Sequence, residues 1–433
     1  MVTAIIGGGA AGIAAAITAA ENGQRVLILE RNRKPLKKLG ITGNGRANLL
    51  NIGPLAYYGD EAFARAVLEQ VSPWQLCDFL TQQGLSLREE GANLIYPAAL
   101  QASVAVDALS LRAAQLGVTF LLNAQAVEIA RLGNGFRIHA LQTVSPPEGR
   151  KTGNARPKES SATDRQPLDI TADRVIVTVG GAAAPAQGTD GSAYGLLTAF
   201  GHKLIPTRPA LCGLLTEPRR IEGLSGQRAR VALRLLTPEG QTLHATAGEM
   251  LFGEDSVSGI AAMQLARFVT PGTVLSVDLR PATGWQGLRD GENPIPVSAM
   301  EAKLAELCRL RAGDALGDLL TGTFSAPIAR WLLREARIGQ PNFPLTQLPT
   351  ESLRRLAQTI ADVRLPVPGT RGFDQAQVTA GGISTEDFNP TTMESKCCPG
   401  LYAAGEVLNV DGDCGGFNLM FAFASGILAG KAR

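Results

Sequence analysis

The sequence predicts an α/β protein: a discontinuous Rossmann-like dinucleotide-binding domain with an inserted β-barrel domain and a helical subdomain. Three observations carry that expectation. A strand, glycine turn and helix open the chain, an acidic residue closes the next strand, and a second strand and glycine turn stand near the far end.

The first turn is GGGAAG at Gly7 to Gly12, between the apolar run Val2-Thr3-Ala4-Ile5-Ile6 and the helical run Ile13-Ala14-Ala15-Ala16-Ile17. Gly7 allows the turn, Gly9 lets backbone approach a pyrophosphate, and Gly12 packs helix against strand; with Ala10 and Ala11 these are candidate cofactor contacts. The helix aims free N–H groups and its positive dipole end at the phosphates. The strand Arg25 to Leu29 ends at Glu30, where a carboxylate can accept the hydroxyls of an adenosine ribose. NAD and FAD both present that ribose, so Glu30 alone does not separate them. Next comes a basic, glycine-rich loop, Arg31 to Asn48, expected to fold over the cofactor. Its candidate contacts are Arg31, Lys38, Thr42, Gly43, Gly45, Arg46 and Asn48.

Helical patterns follow at Glu61 to Gln83 and Ser103 to Leu116. The latter leads into Val118 to Leu122, the expected third parallel strand, which places Ala126 and Val127 near the adenine. Phe136 to Leu141 and Asp169 to Val179 read as extended. Thr143 to Pro167, rich in Pro, Gly, Ser, Lys and Glu, reads as a mobile hairpin tip between them. The strand Arg174 to Val179 ends in Gly180 and Gly181, a further point of backbone approach to the cofactor. Past Thr189 come short extended runs at Arg230 to Leu236, Gly248 to Phe252 and Val274 to Leu279, the pattern of a small antiparallel barrel or sandwich. Pro296 to Leu320 and Ala326 to Ala336 look helical, and the chain returns to strand at Val378 to Ile383. The expected boundaries are 1–190 and 370–433 for the nucleotide domain, 191–280 and 345–369 for the β-rich domain, and 281–344 for the helical subdomain.

The far end selects the cofactor. Cys398 to Glu406 reads as a buried strand closing on Gly405-Glu406, followed by Gly415-Gly416 and a helix from Phe417 to Ile427. FAD is long enough to need this second half-site for its ribityl chain and flavin ring. Glu406 can hold ribityl hydroxyls, and the helix aims its positive end at the flavin N1/C2=O edge, where negative charge develops on reduction. The candidate contacts here are Gly405, Glu406, Gly415, Gly416, Phe417, Asn418 and Leu419. No second G-x-G-x-x-G follows a strand, so NAD(P)H, if used, docks transiently without a domain of its own.

Composition excludes several classes. Lys plus Arg is 41 and Asp plus Glu 39, a formal charge of +2, which gives no electrostatic case for nucleic acid or an anionic membrane. A small-molecule substrate is the expected partner. Ala4 to Ala20 is apolar, but no basic segment precedes it and glycines interrupt it, so it reads as buried strand and helix rather than a leader or anchor. Six cysteines lack metal-ligand spacing and read as reduced thiols in a cytoplasmic protein, the pair Cys397-Cys398 included. His139, His202 and His244 are far apart, and no metal is expected.

The segments GGGAAG, KKLGITGNGRANLLN, GEMLFGEDSVSGIAA at Gly248 to Ala262, and AGGISTEDFNPTTMESKCCPGLYAAGEVLNVDGDCGGFNLMFAFASG together resemble the BaiN/RdsA-type family of FAD-dependent oxidoreductases, over nearly the whole chain. That family includes bile-acid-intermediate reductases and aminoacetone-oxidase-like flavoproteins. The resemblance implies an FAD domain with an inserted barrel and helical subdomain, and cofactor contacts from the Gly7 turn, Glu30, the Thr42 to Asn48 loop and the Gly405 to Leu419 segment. This chain departs from it at Ala47, where the family commonly has Cys, and at Val177 to Gly181, where it usually reads Ala-Thr-Gly-Gly.

In such a protein the flavin exchanges the hydride at N5, and few side chains need move a proton. Asn48, Asn418 and Asp411 are expected to hold cofactor. Glu249, Phe252 and Ser258 are expected to line the substrate face, and Tyr194 is a candidate proton donor. The leading expectation is hydride transfer on a small or steroid-like molecule, either reducing a C=C bond with NAD(P)H or oxidising an amine or aminoketone with O₂. A flavin-dependent tRNA-modifying enzyme is an alternative that requires a basic face, yet the dense basic run, Arg31 to Lys38, lies beside the expected cofactor. A flavin redox sensor without turnover is another.

Overall fold

The computed structural model describes residues 1–91, 93–143, 165–285 and 295–432, so most of the expected hairpin tip at Thr143 to Pro167 lies outside the described residues. The chain forms two compact units, Met1–Arg208 with Gln377–Arg433, and Pro209–Ala376.

The first unit opens with β1 (Val2–Ile6), α1 (Ala10–Glu21) and β2 (Arg25–Glu30), and three helices, α2 (Glu61–Gln70), α3 (Pro73–Gln82) and α4 (Ala102–Gln115), precede β3 (Thr119–Leu122). An antiparallel meander of β4 (Ala124–Leu132), β5 (Gly135–Thr143) and β6 (Arg165–Ala172) leads to β7 (Arg174–Val177). After the second unit come β8 (Val378–Ile383), β9 (Leu401–Ala403) and α5 (Phe417–Lys431). Among the described residues the central sheet has the order β9-β7-β1-β2-β3, every pairing parallel. Strands covered on both faces lose the alternation of polar and apolar residues, which is why β1 and β7 are apolar runs.

Register places the site. Ile6 lies opposite Leu29 and Val177, and Val177 opposite Ala403. Gly7, Glu30, Thr178 to Gly181 and Ala404 to Glu406 therefore leave the sheet at one carboxyl edge, the edge at which open α/β sheets bind ligands.

Behind the sheet, α1 and α5 are buried nearly all round and cross through small residues. A Cβ on Gly426 would lie 2.3 Å from Ala11 O, and one on Gly430 2.5 Å from Ala15 O. Backbones that approach this closely exclude side chains, which explains the alanine and glycine content of both segments.

Two expected elements divide. Glu61 to Gln83 breaks at Ser72-Pro73, because Pro73 has no N–H to continue a helix; Ser72 instead caps α3, accepting the Gln75 N–H at 3.3 Å and donating its own to Gln75 Oε1 at 2.8 Å. Asp169 to Val179 splits at Asp173, whose carboxylate accepts the Val2 N–H at 2.6 Å, so β6 joins the meander and β7 the parallel sheet.

The second unit holds a six-stranded antiparallel sheet among the described residues. Its order is Leu214–Leu215, Ser256–Ser258, Thr242–Phe252, Arg228–Leu236, Val274–Asp278 and Val363–Pro366. Its two edges meet where Leu214 bridges Thr370 and the Thr216 hydroxyl donates to Pro366 O at 2.8 Å. The helices Val297–Leu310 and Ala326–Glu335 belong to the same unit. Thr350–Ala361, inside the stretch expected to be β-rich, is a helix: Leu353, Leu356, Ala357 and Ile360 recur at helical spacing and are buried. The helix expected to run to Leu320 stops at Leu310, ahead of Gly313.

Candidate functional site

The N-terminal turn is fixed by backbone sterics. Gly7 has φ +106°, and a Cβ there would lie 2.5 Å from Thr178 O; a Cβ on Gly12 would lie 2.0 Å from Gly7 O. Thr178 donates its hydroxyl to Gly7 O at 2.8 Å, which locks strand β7 to the turn. A Cβ built on Gly9 meets no atom within 4 Å, and Gly9 caps α1 without a side-chain bond. The first intrahelical bond runs from Ile13 N–H to Gly9 O, so the N–H groups of Ala10, Ala11 and Gly12 point past the helix start. The result is an open, positively polarised cradle that fits a pyrophosphate.

Glu30, 6% exposed, stands beside it. One carboxylate oxygen accepts Gly8 N–H at 2.8 Å; the other accepts Asn32 N–H at 2.7 Å and its side-chain amide at 2.8 Å. A carboxylate has about four acceptor positions, so capacity remains for a ribose hydroxyl. Asn32, missed in the sequence, orients that carboxylate. Val127 occupies a register shift between Ala126 and Glu128 and is 43% exposed, so its backbone groups stand outside the ladder. Arg31 turns from the turn to Asp190, 2.9 Å away. Burial pushes the Asp190 carboxyl up, but hydrogen bonds from Arg31 and Ser192 outweigh it and hold the group at about 2.

The basic loop folds back on the turn through Leu36 N–H to Gly8 O at 2.8 Å. Gly43 and Asn44 both take left-handed backbone, and the Thr42 hydroxyl donates to Leu39 O at 2.8 Å. Arg46 lies over the Tyr96 ring at 5.0 Å, with Glu90 3.7 Å away. Lys38 reaches Glu406, Nζ to Oε2 at 2.6 Å, while Glu406 Oε1 accepts Thr379 N–H at 3.0 Å. Thr379 is a second residue missed in the sequence: its hydroxyl accepts the Ala182 and Ala183 N–H groups and packs under Gly181, next to Gly180. Glu406 therefore enters the site as half of an ion pair, with acceptor positions left over.

The two glycine signatures meet. A Cβ on Gly405 would lie 2.9 Å from the Ala11 Cβ, and Gly405 N–H donates to Ser425 Oγ at 3.0 Å. Helix α5 starts at Gly416, φ +95°, with no side-chain cap, so Phe417, Asn418 and Leu419 offer first-turn N–H groups. Gly415 is held by Asn51, whose amide donates to its carbonyl at 2.9 Å. Asn48 Oδ1 is buried against Gly416 with no hydrogen-bond partner among the described residues. An orphaned acceptor beside an uncapped helix start fits a polar ring edge such as that of a flavin.

Several of the expected residues meet partners within the protein. Both ends of the Asn418 amide bond Gly412, at 2.8 and 2.9 Å, so this side chain braces the preceding loop. Asp411 is buried in a strand pair opposite Tyr58. In the second unit Phe252 is fully buried edge-on to Trp331, a core residue, Glu249 is exposed and paired with Arg228 at 2.9 Å, and Ser258 is half-buried.

Tyr194 is buried in the first unit, and its hydroxyl has no hydrogen-bond partner among the described residues. Burial, and then the Glu406 charge, raise its pKa well beyond the ordinary phenol value. Among the described residues no helix is long and apolar enough to cross a membrane.

A family model described as the HI0933-like protein Rossmann domain matches residues 1–432. The 3-dehydro-bile acid delta(4,6)-reductase of Clostridium scindens is 33% identical over 439 aligned residues, covering 99% of this chain and 98% of that protein. The ribosomal RNA dihydrouridine synthase of Escherichia coli is 26% identical, covering 97% and 95%. Among solved structures, the 3-ketosteroid-delta4-(5alpha)-dehydrogenase from Rhodococcus jostii RHA1, in complex with 4-androstene-3,17-dione, is 16% identical with a TM-score of 0.47, covering 99% and 95%.

Proposed function

Because the chain belongs to the HI0933-like family of FAD-dependent oxidoreductases, we propose that it reduces a carbon–carbon double bond conjugated to a carbonyl in a small, steroid-like molecule, with NAD(P)H as electron donor. The observation that carries this reading is the 33% identity to a bile-acid reductase over 99% of this chain and 98% of that one. The two relatives' names share a reaction type, since dihydrouridine is uridine with its ring double bond saturated beside a carbonyl.

When bound and reduced by NAD(P)H, the flavin would supply the hydride for the carbon β to the carbonyl. The protein does the rest. The start of α1 holds the pyrophosphate, Glu30 orients the turn and receives the ribose, and Lys38 neutralises Glu406 next to Gly181. The start of α5 places a positive dipole end against developing negative charge. Tyr194 keeps its proton at neutral pH and is the candidate donor to the α carbon.

Rapid anaerobic mixing of the FAD-loaded protein with NADH or NADPH tests the electron donor. The flavin absorbance is expected to bleach with at least one of them; if it bleaches with neither, NAD(P)H is not the donor.

The Escherichia coli relative favours one second reading, reduction of a uridine in RNA. A formal charge of +2 supplies little general attraction to a polyanion, which is why the small molecule is preferred. Tight RNA binding in a gel shift at physiological salt would reverse that preference.

A further inference from the structure

We propose that His202, Asp387 and Cys397 form a binding site for a divalent cation of borderline softness, with Zn²⁺ the natural match. All three lie in the first unit, and one ligand atom from each falls within 4.8 Å of the others. The His202 side chain is fully buried, and its Nδ1 has no hydrogen-bond partner among the described residues. That nitrogen stands 4.0 Å from Asp387 Oδ2, beyond hydrogen-bond range, and beside the exposed Cys397 thiol.

The ring is held for this purpose. Its Nε2 lies 2.9 Å from Ser395 Oγ, and Phe388 stacks on it at 4.4 Å. Ligation through Nδ1 takes the tautomer in which Nε2–H faces Ser395 Oγ and Nδ1 carries the lone pair, the arrangement characteristic of metal-bound histidine. Ser395 Oγ accepts the Cys397 N–H at 3.1 Å and the Cys398 N–H at 3.0 Å and lies against His202 Nε2, so one hydroxyl positions both imidazole and cysteine. Lys396 turns its ammonium away, donating to Glu386 O at 2.7 Å.

Tetrahedral Zn²⁺, with bonds of about 2.0 to 2.3 Å, sets neighbouring ligands roughly 3.3 to 3.8 Å apart. Rotation of the exposed Cys397 and half-buried Asp387 side chains would close the gap. One nitrogen, one carboxylate and one sulfur suit Zn²⁺ and not Mg²⁺ or Ca²⁺. On binding, the Cys397 S–H bond breaks, its proton passes to solvent and a Zn–S bond forms, with no change of oxidation state. Water completes the fourth position on the exposed side. The ligands are 185 residues apart (387 − 202) and then ten (397 − 387), so no local spacing reveals them.

The test is calorimetric titration of Zn²⁺ into the chelator-treated, FAD-loaded protein, in buffers of different ionisation enthalpy. The expected result is one equivalent bound with release of about one proton. Cys397→Ser, at an exposed position, and Asp387→Asn, at a half-buried one, should each weaken binding by about tenfold or more, with the flavin spectrum and melting temperature of the metal-free protein unchanged. Cys398→Ser should leave binding intact. Absence of a saturable equivalent, or a Cys397→Ser protein that binds Zn²⁺ as tightly as the parent, overturns the proposal.

Discussion

Glu30 shows how one carboxylate can shape a turn and keep acceptor capacity for a ligand. Its bonds to Gly8 and Asn32 are internal, so it shapes the turn before any ribose arrives. Glu30→Ala should therefore weaken FAD retention by about tenfold or more, the worth of a charge-assisted hydrogen bond. Flavin fluorescence released on dilution measures this, and retention equal to the parent's would remove the ribose from Glu30. Tyr194 supports the opposite kind of test. Its hydroxyl is buried without a partner, so Tyr194→Phe should not lower the melting temperature. If the phenol donates the proton, kcat falls by about a hundredfold in the same variant. A loss of stability without a loss of turnover would make it a structural tyrosine. Glycines and the strand-ending acid were legible in the sequence because strand, glycine turn, helix, strand and acid follow one another directly from Val2 to Glu30. Asn32 and Thr379 were not, because each meets its partners, Glu30 and Gln187 for one and Glu406, Ala182 and Ala183 for the other, only once the fold has assembled them.

Packing between elements is decided by α1 and α5, whose backbones touch at Gly426 and Gly430. An alanine in place of glycine ordinarily stabilises a helix by about 1 kcal/mol. At Gly426 the added Cβ would sit 2.3 Å from Ala11 O, so Gly426→Ala should destabilise by about 1–3 kcal/mol, read as a lower urea midpoint at unchanged slope. A neutral or stabilising result would mean the two helices separate more easily than their burial implies. Parallel strands and both glycine-bounded helices were readable, since apolar runs and turn residues are local signals. Other features depend on partners distant in the chain. Asp173 separates two sheets with a pair of hydrogen bonds to Val2, and the Val127 register shift exists only once β5 lies alongside. Thr350–Ala361 had a readable helical period, but its position between strands masked it.

The chain returns at Gln377 to complete the unit it left at Arg208, and this explains two nucleotide signatures some four hundred residues apart in one site. Parallel register brings Gly7, Glu30, Thr178 and Ala404 to one edge, and the Lys38–Glu406 pair then joins residues from both ends of the sequence. The discontinuity itself was legible, because each half carries half of a known pattern. The ion pair was not, since neither residue's neighbours announce the other. Family membership supplies the cofactor class, and the reaction type rests on what two relatives' names have in common. The most direct test of that reading is anaerobic reduction of the FAD-loaded protein by light, followed by mixing with a 3-oxo-Δ4 steroid in the absence of O₂. Return of the oxidised flavin spectrum, with one double bond saturated per flavin, is the predicted result. A flavin that stays reduced with the steroid, yet is reoxidised by O₂ or by ribosomal RNA, would contradict it.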